Sequence, residues 1–224
     1  MKRWKVMVIG AGGTIGRAVV AELGERHEVI AVSRHGTPLC VDLDAPATID
    51  ALFDAVPDID AIVSTAASVP LAPFGTLSDG GLARALHAKL FGQIALLQRA
   101  ATRLREGGSV TLTGGRFDGV LPGGSAGALA NSGLEAFVAQ AAPELPRGLR
   151  VNVVAPGWVQ ETLDALGLQG PKGTPAREVA RLYTTAVEGT MSGQALHALT
   201  GCQASRATSN SPNSATAAAA NPIQ

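Results

Sequence analysis

The chain has 224 residues, 46% of them hydrophobic, with 18 basic and 18 acidic side chains and a formal net charge of zero. Its length and a mean hydropathy of +0.21 allow one well-buried core, and a single domain is the simplest account. The even charge and the lack of a basic stripe argue against nucleic acid or an anionic membrane as partner and favour small molecules.

An apolar run from Lys5 to Ile9 leads directly into a glycine-rich turn, Gly10 to Gly16, and Arg17 to Leu23 continues with helical spacing of its apolar residues. Strand, tight turn and helix therefore abut. Gly10 and Gly12 let the main chain approach a pyrophosphate, and Gly16 lets the helix press on the strand. The turn residues Gly13, Thr14 and Ile15 then open a helix whose N–H groups and positive dipole end suit phosphate. Without a ligand, the same pattern reads as a tight strand-to-helix turn.

A second strand, His27 to Ser33, ends about 20 residues past the turn, where an acidic residue would grip the ribose 2′-hydroxyl of NAD. Here the chain has Ser33, Arg34 and His35. A guanidinium clamps a 2′-phosphate that a carboxylate would repel, so the expected cofactor is NADP(H), with Arg34 the discriminator and Ser33 a hydroxyl donor. The competing reading of Arg34 is a solvated surface charge.

Next come a strand at Leu39 to Asp42 and a helix from an Asp44 N-cap and Pro46 to about Val56. A strand at Ala61 to Ser64 follows, then a loop with Pro70 and Pro73 and one long helix from Asp79 to Arg105. Strands at Ser109 to Thr113 and Arg150 to Ala155 flank a helix from Ser125 to Leu145. A helix from Pro175 to Glu188 and a strand from Gln194 to Leu199 close the pattern. This alternation predicts an α/β, doubly wound, Rossmann-type parallel sheet of about seven strands with helices on both faces, in one domain over residues 1–200. Residues 201–224, rich in Ala, Ser, Thr, Asn and Pro, read as a disordered low-complexity tail. Cys40 and Cys202 form no CxxC pair, and His27, His35, His87 and His197 have no metal-ligand spacing, so no metal site is expected. No charged-then-apolar leader and no membrane-length apolar run occur, and the expected location is cytoplasmic.

Five ordered segments resemble the short-chain dehydrogenase/reductase family across residues 5 to 200. They are the GxxGxxG turn of Gly10, Gly13 and Gly16, the segment Val41-Asp42-Leu43, the stretch Ser64-Thr65-Ala66-Ala67, the helix segment Gly133 to Phe137, and Arg150 to Gly157. The resemblance implies adenine contacts at Asp42 and Leu43, and cofactor contacts at Thr65, Ala66, Pro156, Gly157 and Val159. It also implies a Tyr and, four residues on, a Lys that lowers the phenol pKa for proton exchange with substrate. Aligned on the helix segment, the chain has Gly127 in the Tyr place and Asn131 in the Lys place. The family's serine maps near Thr113-Gly114 and its helix-four asparagine at Lys89. Asn131 retains a hydrogen bond for the nicotinamide ribose. Thr113, as donor to a developing oxyanion, and Lys89, as cation or proton source, are the candidate catalytic residues, with Arg116 and Ser125 behind them.

The expected function is NADP(H)-dependent hydride transfer between nicotinamide and a small carbonyl or alcohol. The alternatives are a catalytically inactive NADP(H)-binding sensor and an oligomeric scaffold. Leu82, Leu86, Leu90, Ile94 and Leu97, with Ala126, Ala130, Leu134 and Phe137, either form a homodimer or homotetramer face or pack on the sheet. Val69 to Leu77, Trp158 and Thr162 are expected to frame the substrate pocket, and Thr162 to Pro175 to form a small lid.

Overall fold

The computed structural model describes residues 2–66, 69–117, 119–168 and 172–198. The expected tail, Ala67 and the end of the expected last strand at Leu199 lie outside the described residues. Seven strands, β1 (Lys5–Ile9), β2 (Glu28–Ser33), β3 (Leu39–Cys40), β4 (Ala61–Ser64), β5 (Ser109–Thr113), β6 (Arg150–Ala155) and β7 (Ala195–His197), form one sheet in the order β3-β2-β1-β4-β5-β6-β7. All pairings are parallel. This is a Rossmann-type doubly wound sheet. The chain runs outward from β1 to β3 and then returns to β4, so the loops after β1 and β4 part in opposite directions and leave a crevice at the carboxyl ends of the strands. The register Ile9↔Ser64 sets the glycine turn beside Thr65.

Strand alternation feeds two cores. Met7 and Ile9 face the layer of α2 (Pro46–Ala55), α4 (Gly92–Arg103) and α5 (Ser125–Ala141), where Ile49, Leu96 and Leu134 are buried. Val6 and Val8 face α1 (Thr14–Gly24) and α7 (Ala176–Glu188), where Val19, Leu23, Val179 and Tyr183 are buried. Between α2 and α4 lies α3 (Asp79–Leu86), and α6 (Gln160–Ala165) follows β6. Arg150 on β6 donates to the carbonyls of Ala186 and Val187 at 3.0 and 2.9 Å, satisfying last-turn groups of α7.

Several expectations are corrected. The long helix ends at Arg103 and is interrupted by a five-residue π turn, His87–Phe91, between α3 and α4. Helical periodicity does not reveal such a turn, because its flanks remain in ordinary α register. Asp44 does not cap α2; Ala45 precedes Pro46 without a side-chain cap, and the Asp44 carboxylate lies 3.3 Å from His87 Nδ1 instead. The helix after β5 stops at Ala141 and continues as a 3-10 turn, Ala142–Glu144. Of the residues read as a possible subunit face, Leu97, Ala126, Ala130 and Leu134 are buried within the chain itself, which favours packing on the sheet for them.

The closest backbone approach in the fold joins β1 to α1. Gly10 has φ +83°, and a Cβ there would lie 2.6 Å from Thr65 Oγ1. A Cβ on Gly16 would lie 2.8 Å from the Gly10 carbonyl carbon and 2.9 Å from Ala11 Cα, which are backbone atoms that cannot rotate away. Gly16→Ala is therefore expected to destabilise by about 3 kcal/mol. Gly24→Ala, in open space at the other end of α1, is expected to stabilise by about 0.5 kcal/mol. Urea titration of both variants beside the wild type measures the difference, and equal midpoints would contradict this packing.

Candidate functional site

Two adjoining cavities open at the carboxyl edge of the sheet. One, of about 580 Å³ on the β2 side, is bordered by Gly10, Gly12, Ser33, Arg34, Asp42, Leu43 and Ala66. The other, of about 560 Å³ on the β5 side, is bordered by Thr14, Ile15, Gly16, Lys89, Thr113, Asn131, Pro156, Gly157 and Val159. Gly13 and Thr65 border both. The fold thus places each residue expected to touch the cofactor, together with Lys89 and Thr113, on the wall of one cavity or the other.

Hydrogen bonds to both neighbouring strands hold the glycine turn. The N–H groups of Gly10 and Ala11 donate to Val32 O at 2.8 and 3.1 Å, and Gly12 N–H donates to Ser33 Oγ at 3.0 Å. Ser33 is thereby a strut for the turn as well as a wall of the β2-side cavity. Thr65 locks the other flank, donating its N–H and Oγ1 to Ile9 O at 2.8 and 2.9 Å. Helix α1 starts at Gly13 with no side-chain cap and no acid in its first turn, so its dipole and orphan N–H groups face the junction of the two cavities. Arg34 is exposed at the cavity wall, and among the described residues no acid pairs with it. Asp42 Oδ1 accepts from Asp44 N–H at 3.1 Å, which holds its carboxylate at the same wall.

Lys89 sits in the π turn, 9% exposed, and donates from Nζ to Gly114 O at 3.1 Å. Burial pushes its ammonium down from the usual 10.5 to about 8. Gln93, fully buried one turn on, donates to Lys89 O and Thr113 O and accepts from Thr113 N–H, each at 2.9 Å. Those three bonds bolt the π turn to the end of β5 and fix where Lys89 projects. The sequence reading missed Gln93; its signal was a polar side chain on an otherwise apolar helix face, one turn beyond Lys89.

Thr113 borders the cavity, but its hydroxyl is committed. Oγ1 bonds to Ser64 O and lies 2.6 Å from Tyr183 Oη. With its proton on the Ser64 carbonyl and a lone pair on the phenol, Thr113 is not a free donor for an oxyanion, which corrects the expected role. Tyr183, the chain's one tyrosine, is fully buried. Burial pushes its phenol well above the ordinary value, outweighing the opposing Thr113 bond, so it is a structural group beneath the sheet. Gly127 leaves the expected phenol position without a side chain. The Phe117 ring stands over it, 3.4 Å from where a Cβ would be. Asn131 is 6% exposed and its Oδ1 is a buried acceptor without a partner, which fits a ligand hydroxyl. Ser125 begins α5 exposed and outside these walls; Arg116 borders the cavity from an exposed loop position.

A parallel sheet with a glycine turn at its switch point, an uncapped helix start and an orphaned amide across the trough define a dinucleotide-binding protein of the Rossmann class. Residues 10–199 match the profile of the family described as Enoyl-(Acyl carrier protein) reductase. The chain is 35% identical to the protein lin1944 from Listeria innocua, with TM-score 0.84 over 88% of this chain and 100% of that one. A small-chain dehydrogenase is 25% identical, with TM-score 0.74 over 88% of this chain and 96% of that one. A small-chain dehydrogenase solved in complex with NADPH is 24% identical, with TM-score 0.77 over 88% and 97% of the two chains, a likeness of fold. No curated protein matches. The chain belongs to the short-chain dehydrogenase/reductase family. Membership supports NAD(P)-dependent oxidoreductase function and NAD(P)H binding. Among the described residues, no helix is long and apolar enough to cross a membrane, and no group of three or more His, Cys, Asp or Glu is placed to hold a metal ion.

The buried ammonium has a consequence for stability. Because the folded state holds the Lys89 proton more weakly than the unfolded chain, the burial penalty is full below about pH 8 and disappears as pH rises towards 10.5. Lys89→Met is therefore expected to raise unfolding free energy at neutral pH by up to about 3 kcal/mol. The gain should shrink between those two pH values, as denaturant titrations across that range will read.

Proposed function

We propose that the protein is an NADP(H)-dependent oxidoreductase that reduces small carbonyl compounds, or oxidises the matching alcohols, with Lys89 as the proton donor. The observation that carries this reading is the Lys89 ammonium, seated in the cavity opposite the glycine turn where the family's phenol is replaced by Gly127. The turn and the start of α1 would hold the diphosphate, Arg34 the 2′-phosphate, Asp42 and Leu43 the adenine side, and Asn131 Oδ1 a hydroxyl of the nicotinamide ribose. NADPH held there would supply the hydride for the carbonyl carbon; Lys89 Nζ would give its proton to the carbonyl oxygen, completing the alcohol, and the neutral amine would regain a proton from water.

The residues supply position and charge. A cation nine-tenths buried in an apolar wall polarises a carbonyl more strongly than it would in water, and its depressed pKa makes the proton easier to give up near neutrality. Gln93 acts through Lys89, holding the π turn so that Nζ stays against the end of β5. Since Lys89 must carry its proton, reduction falls as pH rises through about 8.

NADPH binding is followed by fluorescence, and its oxidation by absorbance across a carbonyl panel. Arg34→Ala is expected to weaken NADPH about tenfold and leave NADH unchanged; equal affinities for both cofactors in wild type and variant would remove the NADP(H) assignment. Lys89→Met is expected to lower kcat by about 10²–10⁴-fold with unaltered NADPH affinity, and to abolish the alkaline fall in rate. Binding without turnover of any carbonyl would favour a sensor of NADP(H).

A further inference from the structure

The walls around Lys89 are selective. The β5-side cavity is faced by Val69, Leu71, Phe117, Leu121, Trp158 and Val159. Among the described residues no carboxylate, histidine or cysteine borders it, and Lys89 is its one buried charge. The floor adds little polarity. Gly114, Gly115 and Gly127 present no side chain there, and over Gly127 the surface is the Phe117 ring. The hydroxyls of Thr65 and Thr113 are committed to the carbonyls of Ile9 and Ser64. Arg116 borders the cavity from an exposed position, but a positively charged group on a substrate would lose its water there with no carboxylate among the described lining residues to meet it.

The apolar surface also continues outward. The loops that supply Leu71 and Leu121 are tied together by Ala72 N–H donating to Gly123 O at 3.0 Å. On those same loops, Leu71 is 52% exposed, Phe74 86% and Val120 99%. Leu166 and Leu168, just past α6, are exposed as well. Large apolar side chains held open to water thus lie on the same loops that supply Leu71 and Leu121 to the apolar cavity wall.

We propose, resting on the reductase reading above, that the substrate is a carbonyl compound with one uncharged apolar tail. Its oxygen meets Lys89 Nζ and its tail lies along Leu71, Phe117, Leu121 and Trp158 towards the rim. Affinity then comes from the tail.

The test uses the full chain and two series of equal chain length. In NADPH-dependent reduction of unbranched aldehydes from propanal to decanal, kcat/KM is expected to climb about fourfold per added methylene until the tail passes the rim. Unbranched primary amides, whose carbonyl NADPH does not reduce, are titrated calorimetrically into the NADPH-loaded protein and should show the same gain per methylene in Kd. Leu121→Asp is expected to lower kcat/KM for decanal about tenfold more than for propanal. A flat aldehyde series overturns the tail site and leaves the reductase intact. No aldehyde turnover with a rising amide series removes the reductase reading and supports the tail site; a flat amide series without turnover overturns both.

Discussion

The molecule is organised around the glycine turn between β1 and α1, where Gly16 has no room for a Cβ against the Gly10–Ala11 backbone and Gly10 none against Thr65 and Ala66 after β4. That turn lies at the one point where the sheet's winding reverses, between β1 and β4. It aims an uncapped helix start at the junction of two cavities. Ser33 and Thr65, from the strands on either side, clasp the turn by hydrogen bonds. A phosphate site of this kind consists of main-chain N–H groups and a dipole, so it depends on backbone placement and tolerates wide variation in the side chains around it.

The other end of the trough is built on a different principle. There the useful group is a single side chain, and the problem is to keep an ammonium inside a largely apolar cavity. The fold does so with one carbonyl acceptor at Gly114 and a buried glutamine that ties the π turn to β5. Keeping Lys89 there costs stability at neutral pH and leaves an acid of moderate strength next to the cofactor trough. Within the short-chain dehydrogenase/reductase family this is a rearrangement of the reaction end. In the alignment that the sequence resemblance implies, Gly127 and Asn131 fall at the family's Tyr and Lys places, while Lys89 brings positive charge to the cavity from the π turn. Phe117 closes the space that Gly127 leaves, so the loss of a phenol also turns that wall aromatic and apolar.

The two ends are coupled by shared walls. Gly13 and Thr65 line both cavities, and Asn131 borders Lys89's cavity with an amide oxygen that has no partner among the described residues. A buried amide oxygen without a partner costs free energy in the folded protein. Strand β5 carries a similar division of labour. Thr113 turns its hydroxyl away to Ser64 and Tyr183 and offers only its backbone to Gln93.

What the sequence by itself determined was everything that consecutive residues encode: the alternation of apolar strands and helices, the glycine turn with its strand and helix, the Ser33–Arg34 ending of β2, and the family to which the ordered segments belong. Those features follow from local backbone needs and from hydrophobic periodicity, which are written within a few positions of each other. Tertiary structure alone decided the state of each polar side chain. Thr113 looked like a donor until Tyr183, 70 residues away, and Ser64 occupied its hydroxyl. The π turn and Gln93 place Lys89, and its burial lowers the pKa of its ammonium. Leu97, Ala126, Ala130 and Leu134 of the apparent subunit face are buried within the chain. Burial and hydrogen-bond commitment are properties of groups brought together across the chain, and no local pattern records them.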